Sequence, residues 1–145
     1  MRAVVTRCAS ARVEVDGETV GELPEPGLLA LVGVTHDDTQ ADVNKLVRKI
    51  AGLRILEDER SALDLAAPVL VVSQFTLYGD VRKGRRPSWL NAAGRNHSES
   101  LIDQLVCGLR DAGLHVETGR FGAMMQVHSV NDGPFTVLID SADIA

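Results

Sequence analysis

Two short runs of almost uninterrupted apolar residues constrain this fold more than any other feature of the sequence. Residues 28–34 and residues 69–72 are long enough for strands, and far shorter than the roughly 20 apolar residues that a membrane-spanning helix needs. A strand that is apolar at every position is usually covered on both faces. We therefore predict that residues 68–77, which contain the second run, form a central strand of a sheet.

The remaining periodic segments predict two amphipathic helices and several further strands. One helix runs from capping acids at positions 37 and 38 to about residue 52, and the other spans about residues 98–112. Further strands are predicted at residues 2–7, 11–15, 19–23, 53–56, 114–118, 123–130 and 135–139. This combination indicates an α/β or α+β domain built in layers.

Length and charge restrict the remaining classes of function. A chain of 145 residues fits one domain, so residues 1–145 are treated as a single domain. The formal net charge of −5 argues against a protein that coats nucleic acid through general basicity. One segment, here called the basic loop, nevertheless concentrates four cations: Arg82, Lys83, Arg85 and Arg86. It is either a solvated turn or a contact for phosphate groups.

The two cysteines and the first residues of the chain bear on its environment. Cys8 and Cys107 are too few for a disulfide framework or a zinc site, and both are expected to be small buried residues. The first eight residues alternate as a strand does and do not resemble a secretory signal. We therefore expect a cytoplasmic protein that uses no cofactor or metal and does not bind a membrane.

Common catalytic signatures are missing from the sequence. It has no G-x-S-x-G elbow, no Walker loop, no G-x-G-x-x-G after a strand, no H-E-x-x-H and no C-x-x-C. The four histidines, at positions 36, 97, 115 and 128, are scattered, and surface roles are expected for the first three. If catalysis occurs, it therefore does not follow one of these familiar patterns.

Two segments break the local rules of the elements that contain them, as functional sites often do. Polar Ser73 and Gln74 end the apolar central strand and are followed directly by Phe75 and Thr76. The second segment, residues 131–136, places a Gly-Pro turn between two apolar strands. Taken alone, the second segment is an ordinary turn.

Together with two other motifs, these segments resemble the D-aminoacyl-tRNA deacylase family, also called D-tyrosyl-tRNA deacylases. The similarity extends from residue 3 to residue 139. Four motifs occur in the family's order and spacing: Ser73-Gln74-Phe75-Thr76-Leu77, Gly84-Arg85-Arg86-Pro87-Ser88-Trp89, Thr118-Gly119-Arg120-Phe121 and Asn131-Asp132-Gly133-Pro134-Phe135-Thr136. Their conjunction is far more specific than any one of them.

The resemblance implies a three-layer fold of two β-sheets with the main helices on one side, in a homodimer. Each active site would lie at the subunit interface, where the segment from Ser73 to Thr76 of one chain meets a Gly-cisPro motif, Gly133-Pro134, of the other. Arg7 would brace that motif. The substrate would be tRNA carrying a D-amino acid or glycine, and no DNA partner is expected.

The resemblance also assigns roles within the site. Phe121 and Met125 stand at the positions that bind the terminal adenosine, and stacking on an aromatic ring suits a nucleobase. The carbonyl groups of Gly133 and Pro134 would bond the substrate's amino group and leave no room for an L side chain. Selection would then act at the α-carbon and admit any D residue.

The chemistry of the ester agrees that few side chains are needed. An aminoacyl ester is already activated, so a site need only hold it, place a water molecule and stabilise the oxyanion. Backbone N–H groups near Phe75 and Thr76 would serve as oxyanion donors. We predict that Thr76 positions the substrate and that a ribose hydroxyl of the tRNA assists the water, while Ser73 and Gln74 orient substrate or loop.

Two other functions stay open on the sequence alone. A related deacylase that clears L-alanine from a wrong tRNA would share this fold. A non-catalytic tRNA-binding module would need only the basic loop and a stacking aromatic, and would lose nothing when Thr76 or Gly133 is changed. A deacylation assay on D- and L-tyrosyl-tRNA separates an enzyme from a binder.

Overall fold

One long strand, β1, connects all parts of the sheet in the computed structural model, which describes every residue from 1 to 145. The strands are β1 (Arg2–Val15), β2 (Glu18–Glu22), β3 (Gly27–Gly33), β4 (Val69–Ser73), β5 (Val116–Thr118) and β6 (Gln126–Asp140). β1 pairs antiparallel with β2, β3 and β6. β3, β4 and β5 pair in parallel, which gives the order β2-β1-β3-β4-β5 with β6 on β1.

The mixed α/β class is confirmed, but the two expected sheets are joined into one. Residues 2–7 and 11–15, predicted as separate strands, both belong to β1, and the strands predicted at 123–130 and 135–139 merge in β6. The pairing of β1 with β6 is irregular between positions 6 and 10, where the two predicted strands were separated, but β1 continues through this stretch. All six strands therefore belong to one hydrogen-bonded sheet.

The two main helices cover one face of this sheet. They are α1 (Gln40–Gly52) and α3 (Arg95–Asp111), and a single turn, α2 (Ala62–Leu65), lies between them in the chain. The larger hydrophobic core contains the apolar stripes of both main helices, including Leu46 and Leu105, which are fully buried. No helix of the structure combines the length and apolar character needed to cross a bilayer.

The predicted central strand is confirmed by its burial. Val69 and Val71 of β4 face the helical core, while Leu70 and Val72 belong to a second, smaller core on the other face. There β4 packs against the C-terminal half of β1 and against β2, which fold back over the sheet. Helices, central strands and folded-back strands form three layers, so alternate residues of β4 enter two different cores.

Some predicted boundaries are wrong for identifiable reasons. β4 ends at Ser73, four residues early, because residues Phe75–Tyr78 turn into a 3-10 helix. The strand predicted at residues 53–56 reduces to one isolated bridge between Leu56 and Arg60. Cys8 is buried as expected, whereas Cys107 lies on the exposed side of α3.

The layers approach so closely at Gly21 that we expect Gly21→Ala to destabilise the fold strongly. A Cβ atom there would lie 2.1 Å from the carbonyl oxygen of Thr118, a backbone atom that can yield only if β2 and β5 separate. We expect a loss of about 2–3 kcal/mol in the free energy of unfolding, measured by urea titration. Gly52→Ala is the control, since nothing lies within 4 Å of its added methyl group. Equal stability of the two variants would contradict this account.

Candidate active site

A cavity of about 560 Å³ opens beyond the ends of β3 and β4. Residues 73–76 form one side of it, the start of α3 forms a second, and the loop at residues 121–125 forms a third. Of the predicted site residues, the structure therefore brings six to one cavity: Ser73, Gln74, Phe75, Thr76, Phe121 and Met125. Sites at the carboxyl ends of parallel strands are common in α/β folds.

The end of β4 leads into a short helix whose first two residues line this cavity. The Gln74 N–H donates to the Val32 carbonyl at 2.7 Å, and the chain then turns into the 3-10 helix at Phe75. The leading N–H groups of a helix have no acceptor within it. Phe75 and Thr76 occupy the first two positions, line the cavity and are exposed. This arrangement suits stabilisation of a negatively charged oxygen.

No side chain that could act as a general base lines the cavity beside the Thr76 hydroxyl group, the candidate nucleophile. The Gln74 amide donates a hydrogen bond to the Thr76 hydroxyl. Histidine, carboxylate, lysine, tyrosine and cysteine side chains are all missing from the cavity lining. Two histidines instead contact backbone carbonyls and two lie beside glutamates: His36, His97, His115 and His128. Chemistry in the cavity therefore rests on backbone dipoles, water and the substrate.

The predicted adenosine-binding residues, Phe121 and Met125, line the cavity from the loop that follows β5. A Cβ atom at Gly119 would come within 2.8 Å of the Met125 sulfur, so a glycine there leaves space for that side chain. The guanidinium carbon of Arg95 lies 5.6 Å from the centre of the Phe121 ring. Arg95 also lines the cavity. Nothing in the sequence distinguishes this residue, since an arginine near a helix start is usually solvated.

The basic loop is fixed next to the catalytic segment. Asp80 and Ser88 exchange backbone hydrogen bonds of 2.8 and 2.9 Å, which closes the loop at its base. Trp89 then packs edge-on against Phe75, with ring centres 5.4 Å apart. The loop cations thus project from a segment held beside the cavity.

The four cations of the basic loop are not equivalent. Arg82 forms a bidentate ion pair with Asp80, with a shortest contact of 2.6 Å. The hydrogen bond from Arg82 lowers the pKa of the Asp80 carboxyl to about 2. The carboxylate therefore stays charged below its ordinary pKa of 3.8, and the ion pair, complete above that value, is lost as the pH falls through about 2. Lys83, Arg85 and Arg86 are exposed and form no ion pair.

The Gly133–Pro134 segment lies outside the cavity of its own chain. Between the pairs Thr6↔Thr136 and Cys8↔Asn131, β1 contributes one residue and β6 contributes four, so residues 132–135 protrude from the sheet. The Gly133–Pro134 peptide bond is cis, and both residues are exposed.

Arg7 holds the base of this protrusion. Its Nε donates to the Asp132 carbonyl at 2.9 Å, and its Nη2 lies 3.5 Å from the Gly133 carbonyl oxygen. The guanidinium also lies over the Phe135 ring, 4.5 Å from its centre. The protruding carbonyl groups are thus tied to β1 by one side chain.

Comparison with known proteins identifies relatives over nearly the whole chain. The D-aminoacyl-tRNA deacylase of Thermobifida fusca is 61% identical over 140 residues, which cover 97% of this chain and 99% of that protein. The enzyme of the same name from Streptomyces coelicolor is 59% identical, with the same coverage. Each of these two matches covers nearly the full length of both proteins.

Two solved structures share the fold. One, described as a c-Myc DNA unwinding element binding protein, is 38% identical, has a TM-score of 0.89, and is matched over 97% of this chain and 98% of its own. The other is described as a probable eukaryotic D-amino acid tRNA deacylase. It is 16% identical with a TM-score of 0.81, and the match covers 95% of this chain and 97% of that one.

The fold, the cavity and the relatives place this protein among the aminoacyl-tRNA deacylases, a class of hydrolases. The family model described as D-Tyr-tRNA(Tyr) deacylase matches residues 4–140. This chain belongs to that family. The resemblance found in the sequence motifs is confirmed.

Proposed function

We propose that this protein hydrolyses the ester of D-aminoacyl-tRNA, in the cytoplasm, at a site completed by a second copy of the chain. The observation that carries the proposal is the separation of its two signature segments. The catalytic segment lines a cavity, whereas Gly133 and Pro134 protrude from the sheet outside that cavity. A second chain can bring one protomer's protrusion to its partner's cavity.

The mechanism follows from what the cavity contains. The Phe75 and Thr76 N–H groups bind the carbonyl oxygen of the ester, which becomes negative when water adds to the carbonyl carbon, and this stabilisation is a large catalytic effect in a preorganised site. Phe121 and Met125 hold the adenine. Because the lining offers no side-chain base, a ribose hydroxyl next to the ester assists the attacking water. Thr76, held by Gln74, positions the substrate.

The Gly133 and Pro134 carbonyls select the substrate's configuration. Arg7 holds the Gly133 carbonyl. Both carbonyls accept hydrogen bonds from the amino group and occupy the space that an L side chain would need. A D side chain points away from them. Rejection then acts at the α-carbon and not on side-chain identity.

The exposed strand β6 supports dimerisation. It is 15 residues long and pairs only with β1, so its outer edge is unpaired. Apolar side chains along it are exposed, among them Leu138 at 84% and Val130 at 57%. Pairing with a second copy would cover both the edge and these side chains.

Sedimentation is expected to give twice the chain mass of 15.6 kDa. Leu138→Asp should shift the protein toward monomer and reduce activity, because a buried carboxylate without a partner is costly. Leu90→Asp is the matched control, since Leu90 is 83% exposed and lies outside β6. A fully active monomer would refute the composite site.

The basic loop is expected to contact tRNA phosphates through its three unpaired cations. Replacing Lys83, Arg85 and Arg86 by Gln should raise KM and reduce the slope of log KM against log salt by about 0.7–0.9 per lost contact, with little change in kcat. Arg82→Gln should change the slope less, because Arg82 is already paired with Asp80. An unchanged slope in the triple variant would show that the basic loop is a solvated turn that does not contact phosphates.

One experiment tests the main proposal directly. Purified protein should release D-tyrosine from D-tyrosyl-tRNA and leave L-tyrosyl-tRNA intact. Hydrolysis of neither ester would favour a tRNA-binding module, and activity on L-alanyl-tRNA alone would favour the related L-alanine deacylase. A single-stranded DNA competitor checks the expectation that DNA is not a partner.

A further inference from the structure

Among the residues that line the cavity, one carries a charge, and we propose that it binds the phosphate group 5′ to the substrate's terminal adenosine. That residue is Arg95, the first residue of α3. The inference rests on the proposed function, because it names a further contact for the same substrate.

The geometry places the Arg95 guanidinium next to the predicted adenosine site. Its central carbon is 5.6 Å from the Phe121 ring centre. A Cβ atom at Gly122 would come within 3.0 Å of its Nη1, so a glycine at that position leaves the guanidinium edge uncovered. An adenosine stacked against Phe121 therefore carries its ribose, and the phosphate attached to it, within reach of Arg95.

The donors of Arg95 are available for such a ligand. Its ion partner, Glu99, lies 3.6 Å away on the next turn, too far for a good hydrogen bond, and both side chains are substantially exposed. An arginine fork matches two phosphate oxygens. The N-terminus of α3 adds positive potential, since Gly94 provides no side-chain cap for the first N–H groups.

A nucleoside bound within a tRNA always carries a 5′ phosphate, and no other charged side chain lines the cavity to meet it. The basic loop lies on the Phe75 side, through Trp89, whereas Arg95 lies on the Phe121 side. The two groups of cations therefore contact different parts of the tRNA. Arg95 binds the phosphate of the terminal linkage, and the basic loop contacts phosphates further along the tRNA.

Titration with adenosine and with adenosine 5′-monophosphate tests the contact without requiring catalysis. The wild-type protein should bind the monophosphate about tenfold more tightly than adenosine. Arg95→Gln should abolish that preference, and Arg95→Lys should retain part of it because a point charge remains. Arg48→Gln, the same charge change on α1 away from the cavity, should retain all of it. Equal binding of both ligands by the wild type would overturn the proposal, as would a preference that survives Arg95→Gln.

Kinetics separate this contact from a merely structural role. For D-tyrosyl-tRNA, Arg95→Gln should raise KM about tenfold and leave kcat unchanged. If Arg95 only supported Phe121, adenosine itself would bind more weakly to the variant, and that result would also overturn the proposal. A protein that prefers the monophosphate through Arg95 but cleaves no aminoacyl-tRNA would support the contact while refuting the proposed function.

Discussion

Replacing Phe75 by proline is expected to lower kcat for D-tyrosyl-tRNA about 100- to 1,000-fold relative to Phe75→Ala. Both variants lose the aromatic ring and its contact with Trp89, but proline also removes the backbone N–H. Proline suits the first position of a helix, which Phe75 occupies, and Gln74 before it is not helical. The measurement is single-turnover deacylation with circular dichroism as a check on folding.

Thr76→Ala is the comparison that separates backbone from side-chain catalysis. Its hydroxyl makes one hydrogen bond, with the Gln74 amide, so a loss of up to about tenfold in kcat is expected. Complete loss of activity with an intact fold and intact tRNA binding would contradict the assignment. A trapped acyl-enzyme on the wild-type protein would do the same.

Periodicity in the sequence identified the elements whose burial is uniform. The run at residues 69–72 becomes a strand buried on both faces, and the helical stripes of α1 and α3 lie in the core. Where burial is weak, the pattern fails. β6 is exposed along most of its length, so the alternation of apolar and polar residues in it does not mark a buried face. Its two predicted halves form one strand because both pair with β1.

In the candidate site, too, some residues can be identified from the sequence pattern and others only from the fold. Ser73 and Thr76 stand out because polar residues end an apolar strand. Arg95 does not stand out, because only the fold brings the start of α3 against Phe121. Similarly, Arg82 cannot be distinguished from the other three cations of the basic loop in the sequence. Its ion pair with Asp80 becomes visible only in the folded loop.

Selection by exclusion gives a large difference among three substrates that differ only at the α-carbon. D-tyrosyl-tRNA carries its side chain away from the Gly133 and Pro134 carbonyls, and L-tyrosyl-tRNA carries it into them. Forcing a side chain into space that rigid carbonyl groups occupy costs about 3 kcal/mol, the upper end of the usual range, so L-tyrosyl-tRNA should be cleaved about 100-fold more slowly. A site that instead recognised D side chains through favourable contacts would discriminate among D residues of different size.

Glycyl-tRNA decides between these two kinds of selection, because glycine has no side chain on either face of the α-carbon. Under exclusion it must pass, and we expect its kcat/KM to lie within about tenfold of the value for D-tyrosyl-tRNA. Arg7→Ala should loosen the Gly133 carbonyl, which Arg7 contacts, and so raise cleavage of L-tyrosyl-tRNA relative to glycyl-tRNA. Deacylation of all three esters by wild type and variant provides the measurement. If glycyl-tRNA stayed intact while D-tyrosyl-tRNA was cleaved, the side chain itself would be recognised, and exclusion at the α-carbon could not be the whole mechanism.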